Sequence, residues 1–154
     1  MDKIQQLLSD LKSPNPVTRN QATQELWKMW YREAGKPAED RLDQGARLMG
    51  KNRLDDAQQV FKDLIDNHPD FAEAHNKLAT LLFLKGEHAE SVLECERVLK
   101  LNPHHFGALN GMGMCQYQLA RYDKAFTSFK RALEIQPYAD MNREYMARCR
   151  ANLN

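Results

Sequence analysis

The sequence predicts an all-α fold, an α-solenoid in which helix pairs repeat along the chain. Pro69, Pro103 and Pro137 follow one another at a constant spacing of 34 residues. Four further series of positions keep the same spacing and hold residues of similar size: Gly45, Ala79 and Gly113; Ala57, Ser91 and Ala125; Phe61, Cys95 and Phe129; Leu64, Val98 and Ala132. A fixed period of this length indicates a repeat architecture, in which each unit buries its apolar face against its neighbours.

Each repeating unit has the pattern of two helices joined by a turn. In the middle unit, Leu78 and Leu82 are spaced so that they lie on one apolar helical stripe, and a second stripe runs through Cys95. Gly86 lies between the two stripes and favours a turn. Pro103 ends the second helix, because proline disfavours helical backbone at the residue before it.

The segments on either side of the repeats are also helical in pattern. Residues 1–37 predict a short helix followed by a longer one, which starts near Pro16 and ends near Gly35. Residues 140–154 predict a single helix with Asp140 as its N-cap. Because the ends of a solenoid expose an apolar face, we expect an N-terminal helical cap and a C-terminal capping helix.

The aromatic stretch "LWKMWY" in the first flank allows two interpretations. Tryptophan is a good core filler, so Trp27 and Trp30 are expected to pack against the first repeat. Tryptophan and tyrosine are also favoured in protein interfaces. Trp27, Trp30 and Tyr31 therefore form a possible secondary binding surface.

The whole pattern resembles that of the tetratricopeptide repeat (TPR) family. The family unit has a small residue at position 8, alanine at 20, an aromatic at 24, a small residue at 27 and proline at 32. The resemblance implies a right-handed superhelix of three repeats, with boundaries at 38–71, 72–105 and 106–139. Two positions depart from the pattern: Leu64 replaces a small residue, and His75 replaces a large apolar one.

The resemblance also implies a concave groove that binds an extended peptide or a helix of a partner protein. The family lines this groove with the first helix of each repeat. The positions that match it here hold Asn76, Lys77, Thr80, Phe83, Asn110, Met114 and Tyr117. The two asparagines can bond to the main chain of a bound segment, and Phe83 and Met114 can contact its apolar side chains.

The residues of this chain differ from those that define one subclass of the family, the TPR co-chaperones. TPR co-chaperones grip a C-terminal carboxylate with lysine, asparagine and arginine side chains. The corresponding positions here hold Leu42, Ala46, Lys77, Gly107 and Gly111. We therefore predict that this site does not bind chaperone tails.

Nothing in the sequence predicts catalysis, a cofactor or a metal. The zinc-protease, phosphate-loop and nucleophile-elbow motifs are missing. The stretch "NPHHFGALNGMGMCQY" does contain soft-metal ligands. The repeat, however, places His104 and His105 at loop positions that are usually polar, more than two helical turns from Cys115. We therefore expect neither an enzyme nor a metal site.

The composition limits the classes of partner and the cellular location that we expect. The chain has 22 basic and 21 acidic residues, a net charge of +1, which argues against nucleic-acid binding. No apolar run approaches the roughly 20 residues of a membrane span, and the charged N-terminus is unlike a secretory signal. The 3 cysteines are widely spaced, which favours a reducing, cytoplasmic location.

These observations favour a non-catalytic scaffold, adaptor or assembly factor that binds a peptide or helical segment of another protein. The alternative is a structural module that associates with itself through the aromatic N-terminal helix or the caps. The first repeat carries a charge of −3 and the third +2, an asymmetry that can orient a partner or a second copy. We expect a monomer or a weak homodimer.

Overall fold

The computed structural model describes residues 2–154, so Met1 of the predicted cap lies outside it. Over that range the chain forms nine α-helices and no strand: α1 (Lys3–Asp10), α2 (Pro16–Arg32), α3 (Lys36–Gly50), α4 (Leu54–Asn67), α5 (Ala72–Leu84), α6 (His88–Leu101), α7 (Phe106–Gln118), α8 (Tyr122–Ile135) and α9 (Asp140–Leu153). The predicted all-α solenoid is confirmed. No helix within residues 2–154 has the length and apolar character needed to cross a bilayer.

The six central helices form three antiparallel pairs, α3–α4, α5–α6 and α7–α8, and each pair packs on the next. Close packing within a pair depends on a small residue facing an aromatic ring. A Cβ atom added to Gly113 would lie 2.8 Å from the Phe129 ring, and Gly45 meets Phe61 in the same way. In the middle pair Cys95 replaces the ring, and the facing residue is Ala79, in the same core cluster. The period therefore reflects a repeated packing contact.

The turn inside each pair also repeats. Asn52, Gly86 and Ala120 follow one another at the 34-residue spacing and have φ angles of 59°, 80° and 58°. This left-handed backbone closes the first helix of each pair and directs the chain into the second. Glycine adopts it without strain, whereas alanine does not.

Helices α1 and α2 form a hairpin, called here the N-terminal hairpin, and its position differs from the prediction. Trp27 and Trp30 do not pack mainly on the first repeat. The Trp30 ring stacks on His105 with centroids 4.4 Å apart, and Trp27 meets the edge of Phe106 at 5.5 Å. Both contacts lie at the start of α7, where the second repeat meets the third. The aromatic stretch thus binds two distant parts of the chain together.

Further contacts show that the hairpin crosses the loops between repeats. The Arg19 guanidinium lies 4.0 Å from the ring centre of Tyr138, in the loop before α9. Near the other end of α2, Tyr31 packs against the apolar core of the first repeat. A helix laid across several layers reaches all of them, whereas a helix stacked as one more layer reaches only its neighbour.

His105 is the second correction. We expected both adjacent histidines to be polar loop residues, but only His104 is exposed. His105 is 0% exposed, and its Nδ1 atom accepts a hydrogen bond from the Ala108 N–H at 3.0 Å, which caps α7. Its Nε2 atom bonds to the carboxylate of Glu73, which is also fully buried. The ring thus serves at once as a helix cap and as part of the hairpin interface.

Helix α9 packs on α8 as the first helix of a further repeat would. Asn142 and Cys149 are its buried residues, and each lies 34 residues after a buried position of α7. Asp140 is the first helical residue and does not cap the helix as predicted. Its carboxylate lies 3.3 Å from the Arg143 guanidinium instead.

Candidate functional site

A groove with two adjoining cavities runs along the first helices of the repeats, and α2 forms one of its walls. The first cavity, called the α2 cavity, has a volume of about 530 Å³ and is lined by Trp27, Lys28, Tyr31, Arg32, Glu39, Asn76, Lys77, Thr80 and Gly107. The second, called the glycine cavity, has a volume of about 260 Å³ and is lined by Asn76, Ala79, Thr80, Phe83, Ser91, Cys95, Gly107, Asn110, Gly111 and Met114. Asn76, Thr80 and Gly107 belong to both, so the cavities form one continuous site.

The α2 cavity has an excess of positive charge. Lys28 and Arg32 come from α2, and Lys77 comes from α5. The single acidic lining residue, Glu39, has a carboxylate oxygen 3.8 Å from the Arg32 guanidinium. No carboxylate of residues 2–154 forms an ion pair with Lys28 or Lys77. The Lys77 ammonium lies over the Tyr31 ring at 5.1 Å, a cation–π distance that holds it at the cavity wall.

The glycine cavity exists because the residues around Gly111 are small, whereas at Gly107 the Trp27 ring already fills the space, since a Cβ atom there would lie 2.7 Å from it. Gly107 and Gly111 lie one helical turn apart on α7, and Ala79 faces them from α5. A Cβ atom on Gly111 would lie 3.8 Å from the Cys95 sulfur, an ordinary contact distance, so Cys95 forms the floor below an unfilled space. A cavity walled by small and apolar side chains favours an apolar ligand group.

Polar groups stand at the edge of this apolar cavity. The Oδ1 atom of Asn110 is buried and has no hydrogen-bond partner in the described part of the chain. The Asn76 amide nitrogen lies 3.5 Å from a Glu73 carboxylate oxygen, which is a long, weak contact. Because a buried acceptor without a donor is costly, the Asn110 side chain favours a ligand that brings an N–H group.

The cysteines do not supply a nucleophile. Burial, with a smaller effect of the nearby Cys115, raises the pKa of the Cys95 thiol to about 12. Burial also raises the pKa of Cys115 and of Cys149. All three are protonated thiols at neutral pH, and the reactive form of cysteine is the thiolate. Residues 2–154 contain no group of three or more histidine, cysteine or acidic side chains that could hold a metal ion.

The structure brings most of the predicted groove residues together. Asn76, Lys77 and Thr80 line the α2 cavity, and Phe83, Asn110 and Met114 join them in the glycine cavity. Tyr117 lines neither cavity. Its half-buried ring packs edge-on against Tyr122 at 5.3 Å and against Tyr145 of α9 at 5.6 Å.

The predicted secondary surface divides into two roles. Trp27 and Tyr31 line the α2 cavity, so they belong to the groove and not to a separate site. Trp30 is only 6% exposed and is removed from the candidate surface because His105 and Phe106 cover it. The aromatic stretch is therefore partly core and partly binding wall.

Several lining residues were missed by the sequence analysis. Lys28 and Arg32 enter the site only because α2 crosses the repeats, and no local pattern signals that position. Glu39 lies on α3, the first helix of the first repeat, so the repeat pattern could have indicated it. Gly107 and Gly111 were recognised only as missing clamp residues. Their spacing of four residues, together with the apolar residue expected below them, was a visible signal for a cavity.

Comparison with known proteins agrees with this geometry. One family model described as a tetratricopeptide repeat matches residues 42–101, and another of the same description matches residues 106–139. The chain belongs to the tetratricopeptide repeat family. It is 28% identical over 136 residues to a TPR repeat-containing protein of Rhizobium etli, with 88% of this chain and 67% of that protein covered.

A second relative matches over only a short part of its own length. The chain is 35% identical over 97 residues to the CTR9 homolog of Arabidopsis thaliana, which covers 62% of this chain and 9% of that protein. Among solved structures, the first TPR of Spaghetti (RPAP3) bound to the HSP90 peptide SRMEEVD matches with a TM-score of 0.73 at 18% identity. It covers 75% of this chain and 92% of that chain. At this identity the likeness shows the TPR fold alone.

The clamp positions of the TPR co-chaperones have different surroundings in this chain. Leu42 is fully buried in the core of the first repeat, which Tyr31 of α2 also contacts. Gly107 and Gly111 present no side chain, and the glycine cavity lies beside them. Of the residues at these positions, Lys77 is the cation that remains in the groove.

Proposed function

We propose that this protein is a non-catalytic adaptor that holds a segment of another protein in the groove formed by α2, α5 and α7. The observation that supports it best is the continuity of the two cavities through Asn76 and Thr80. Together they offer charged, aromatic, apolar and unpaired polar groups along one path. Binding sites for protein segments combine such anchors with main-chain hydrogen bonds.

The partner segment we propose differs from a chaperone tail. A related TPR structure holds an HSP90 peptide, which supports a peptide ligand for this fold. The side chains that grip a terminal carboxylate in the co-chaperones are replaced here by Leu42, Gly107 and Gly111. We therefore propose an internal segment of a partner, without a required free carboxylate, as the ligand.

Other features are compatible with an adaptor in a reducing compartment. The three cysteines are buried, unpaired thiols with raised pKa values. The net charge of +1 leaves little drive toward nucleic acid. A cytoplasmic location and a monomeric or weakly dimeric state remain our predictions.

Site-specific photocrosslinking tests the proposal. A photoreactive amino acid replaces Thr80, which is exposed and lines both cavities. The matched control carries it at Leu93, a 52% exposed residue of α6. In extract of the native cell, we expect a defined crosslinked protein from position 80 and none from position 93. The Asn76→Ala/Asn110→Ala background should reduce that product several-fold, because it removes hydrogen bonds worth about 1 kcal/mol each.

Equal crosslinking from the two positions, or equal yield in the double variant, would show that the groove is not the binding site. The alternative of self-association makes a different prediction, since the product at position 80 would then be a second copy of this chain. Sedimentation of the purified protein at rising concentration gives an independent measure, because self-association requires a defined dimer without any partner.

A further inference from the structure

We propose that the groove selects a partner segment that carries an acidic side chain close to a large apolar side chain. The acidic group enters the α2 cavity and the apolar group enters the glycine cavity. This inference rests on the proposed adaptor function and adds the chemistry of the ligand. The occupant to which it commits is a segment of a different protein.

The acidic preference follows from the charges that face the α2 cavity. Lys28 and Lys77 have no carboxylate partner within residues 2–154. Arg32 has one, Glu39, whose carboxylate oxygen lies 3.8 Å from the Arg32 guanidinium. An aspartate or glutamate side chain in this cavity can pair with ammonium groups on two of its sides. The Tyr31 and Trp27 rings form an adjacent wall, which lowers the local dielectric and strengthens such a pair.

The apolar preference follows from what the glycine cavity lacks. Gly107 and Gly111 leave its α7 wall without side chains, and Cys95 and Ala79 form the rest of the small-residue surface. Phe83 and Met114 stand at its sides. An aliphatic, methionine or phenylalanine side chain fills such a space and removes apolar surface from water.

The two preferences are linked by distance. Because Asn76, Thr80 and Gly107 line both cavities, the two side chains of the ligand must leave its backbone close together and on one face. In an extended segment that face repeats every second residue, and in a helix every third or fourth. The Asn110 oxygen, buried without a donor, lies in the glycine cavity and can accept an N–H group of the ligand backbone.

The two α7 clamp positions differ in what replaces the missing side chain. In the co-chaperones, these positions carry cationic side chains that occupy the groove. Glycine at 107 and 111 carries no charge, but only Gly111 leaves open space, because the Trp27 ring lies against Gly107. The positive charge of this groove comes instead from α2, through Lys28 and Arg32. A ligand suited to this arrangement pairs its acidic group at the α2 wall and its apolar group over α7.

Gly111 offers a variant that separates folding from binding. Its Cβ would meet only the Cys95 sulfur, at 3.8 Å, so alanine fits without displacement. Alanine also favours helix more than glycine does, so Gly111→Ala is expected to raise the unfolding midpoint. Gly111→Leu fills more of the cavity. The matched control is Gly50→Leu, because Gly50 is also a helical glycine, has no atom within 4 Å of its Cβ position and lines neither cavity.

The experiment uses an array of short synthetic peptides on the full chain. One set carries a glutamate and a leucine at separations of one to four residues, and matched sets replace either residue by alanine. We expect the tightest binding when both are present, with roughly a 10- to 100-fold loss when the leucine is removed. Gly111→Leu should cause a similar loss, and Gly111→Ala a smaller loss despite its higher stability. Gly50→Leu should bind as the wild type does.

Charge reversal tests the preference for an acidic side chain. Lys28→Glu/Lys77→Glu should abolish the preference for the glutamate peptide and keep the preference for leucine. Lys124→Glu/Lys130→Glu, two exposed positions on α8 that line neither cavity, is the control with the same change in net charge. Loss of the glutamate preference in both pairs would overturn the assignment of the acidic subsite, because a long-range field would then explain it.

The remaining outcomes separate this inference from the adaptor proposal. Binding that is indifferent to leucine, or unaltered by Gly111→Leu, overturns the inference. Absence of peptide binding also overturns it, while crosslinking of a partner at position 80 would still support the adaptor function. A dimer of the wild type that Gly111→Leu disrupts would show that a second copy is the occupant, which again overturns the proposal.

Discussion

At the scale of single residues, His75 shows how a departure from the repeat pattern is stabilised. The family places a large apolar residue at this position. His75 is also buried, with only 7% of its surface exposed. Its Nδ1 atom lies 2.9 Å from a Glu94 carboxylate oxygen, and its Nε2 atom lies 3.0 Å from the Pro69 carbonyl oxygen. Because both partners are acceptors, the protonated ring can donate to both. Arg97 pairs with the same carboxylate from its other side.

The pKa of His75 carries a prediction about stability. Burial lowers this pKa, but the hydrogen bonds to Glu94 and Pro69 together outweigh burial, so the pKa is raised above its ordinary value of 6.5. A raised folded-state pKa contributes stability fully below the unfolded-state pKa and loses it as pH rises through the folded-state value. The free energy of unfolding should therefore fall more between about pH 6 and about pH 9 in the wild type than in His75→Gln.

Urea denaturation at several pH values measures this difference. At about pH 6 the variant should be less stable by about 1.5–3 kcal/mol, the usual contribution of a hydrogen bond to a charged group. The gap should narrow toward high pH. Residue 75 is the one position at which the two proteins differ, so the difference between their profiles reports on it. Parallel pH profiles would mean that the pKa of His75 is the same in the folded and unfolded protein, which would contradict the prediction.

At the scale of the helix pair, the turns repeat one left-handed backbone position, which is strained only where alanine occupies it. Position 15 of each repeat adopts a left-handed backbone, but its residue changes from Asn52 to Gly86 to Ala120. Asparagine and glycine tolerate this conformation, whereas the Cβ of alanine approaches the following carbonyl. The helix pair of the third repeat keeps the turn because the packing of α7 on α8 demands it.

Exchange of residues between turns tests that account. Ala120→Gly should raise the free energy of unfolding by about 0.5–1 kcal/mol. The change relieves the backbone strain, but glycine also gives the unfolded chain more conformational entropy, which offsets part of the stabilisation. Gly86→Ala, the matched reverse change at φ 80°, should lower it by about 1 kcal/mol or more. Urea denaturation measures both changes, provided that the m-value stays the same in the variants. A less stable Ala120→Gly would show that the turn is not strained.

At the scale of the whole molecule, the N-terminal hairpin decides what the solenoid can bind. It braces the loops between repeats through Trp30 and His105, and it presents Lys28 and Tyr31 to the groove. One helix therefore has a structural face and a binding face. The groove is not a property of the three repeats alone, because a wall of its larger cavity lies outside them.

Removal of the central contact should release this wall. Trp30→Ala deletes a nearly fully buried ring that stacks on His105, and such truncations cost about 3–5 kcal/mol. Amide hydrogen exchange should become faster in α1 and α2 while α5 to α8 keep most of their protection. Val17→Ala, at a 60% exposed position of the same helix, is the control and should change little. Uniformly faster exchange in all helices would mean that the hairpin and repeats unfold as one unit.

Most of the groove stripe was predictable because it follows from the repeat. Asn76 and Asn110 share one position of the repeat, Thr80 and Met114 share another one turn later, and a helix of known phase presents all four on one side. Tyr117 obeys the same phase, yet its ring packs against Tyr145 of α9 and lines neither cavity. The phase of a helix determines which way a side chain points, but not whether another helix lies in front of it.

His104 and His105 show the same limit of prediction from local sequence. Local pattern placed His104 and His105 in a loop, which is where both lie. It could not indicate that His105 is buried, because the burial comes from Trp30 and Glu73, far away in the sequence. The burial of a loop residue depends on what lies above it, and that partner has no fixed sequence distance.

The sequence by itself determined the helical class, the 34-residue unit and the side of each helix that faces the core. These features arise from local geometry and from contacts between neighbours, so they leave a period in the chain. Only the tertiary structure decided that α2 crosses three repeats, that Trp27 and Lys28 join the groove, and that a cavity opens beside Gly111. Those features depend on the fit of surfaces distant in sequence, and a contact that occurs once has no period.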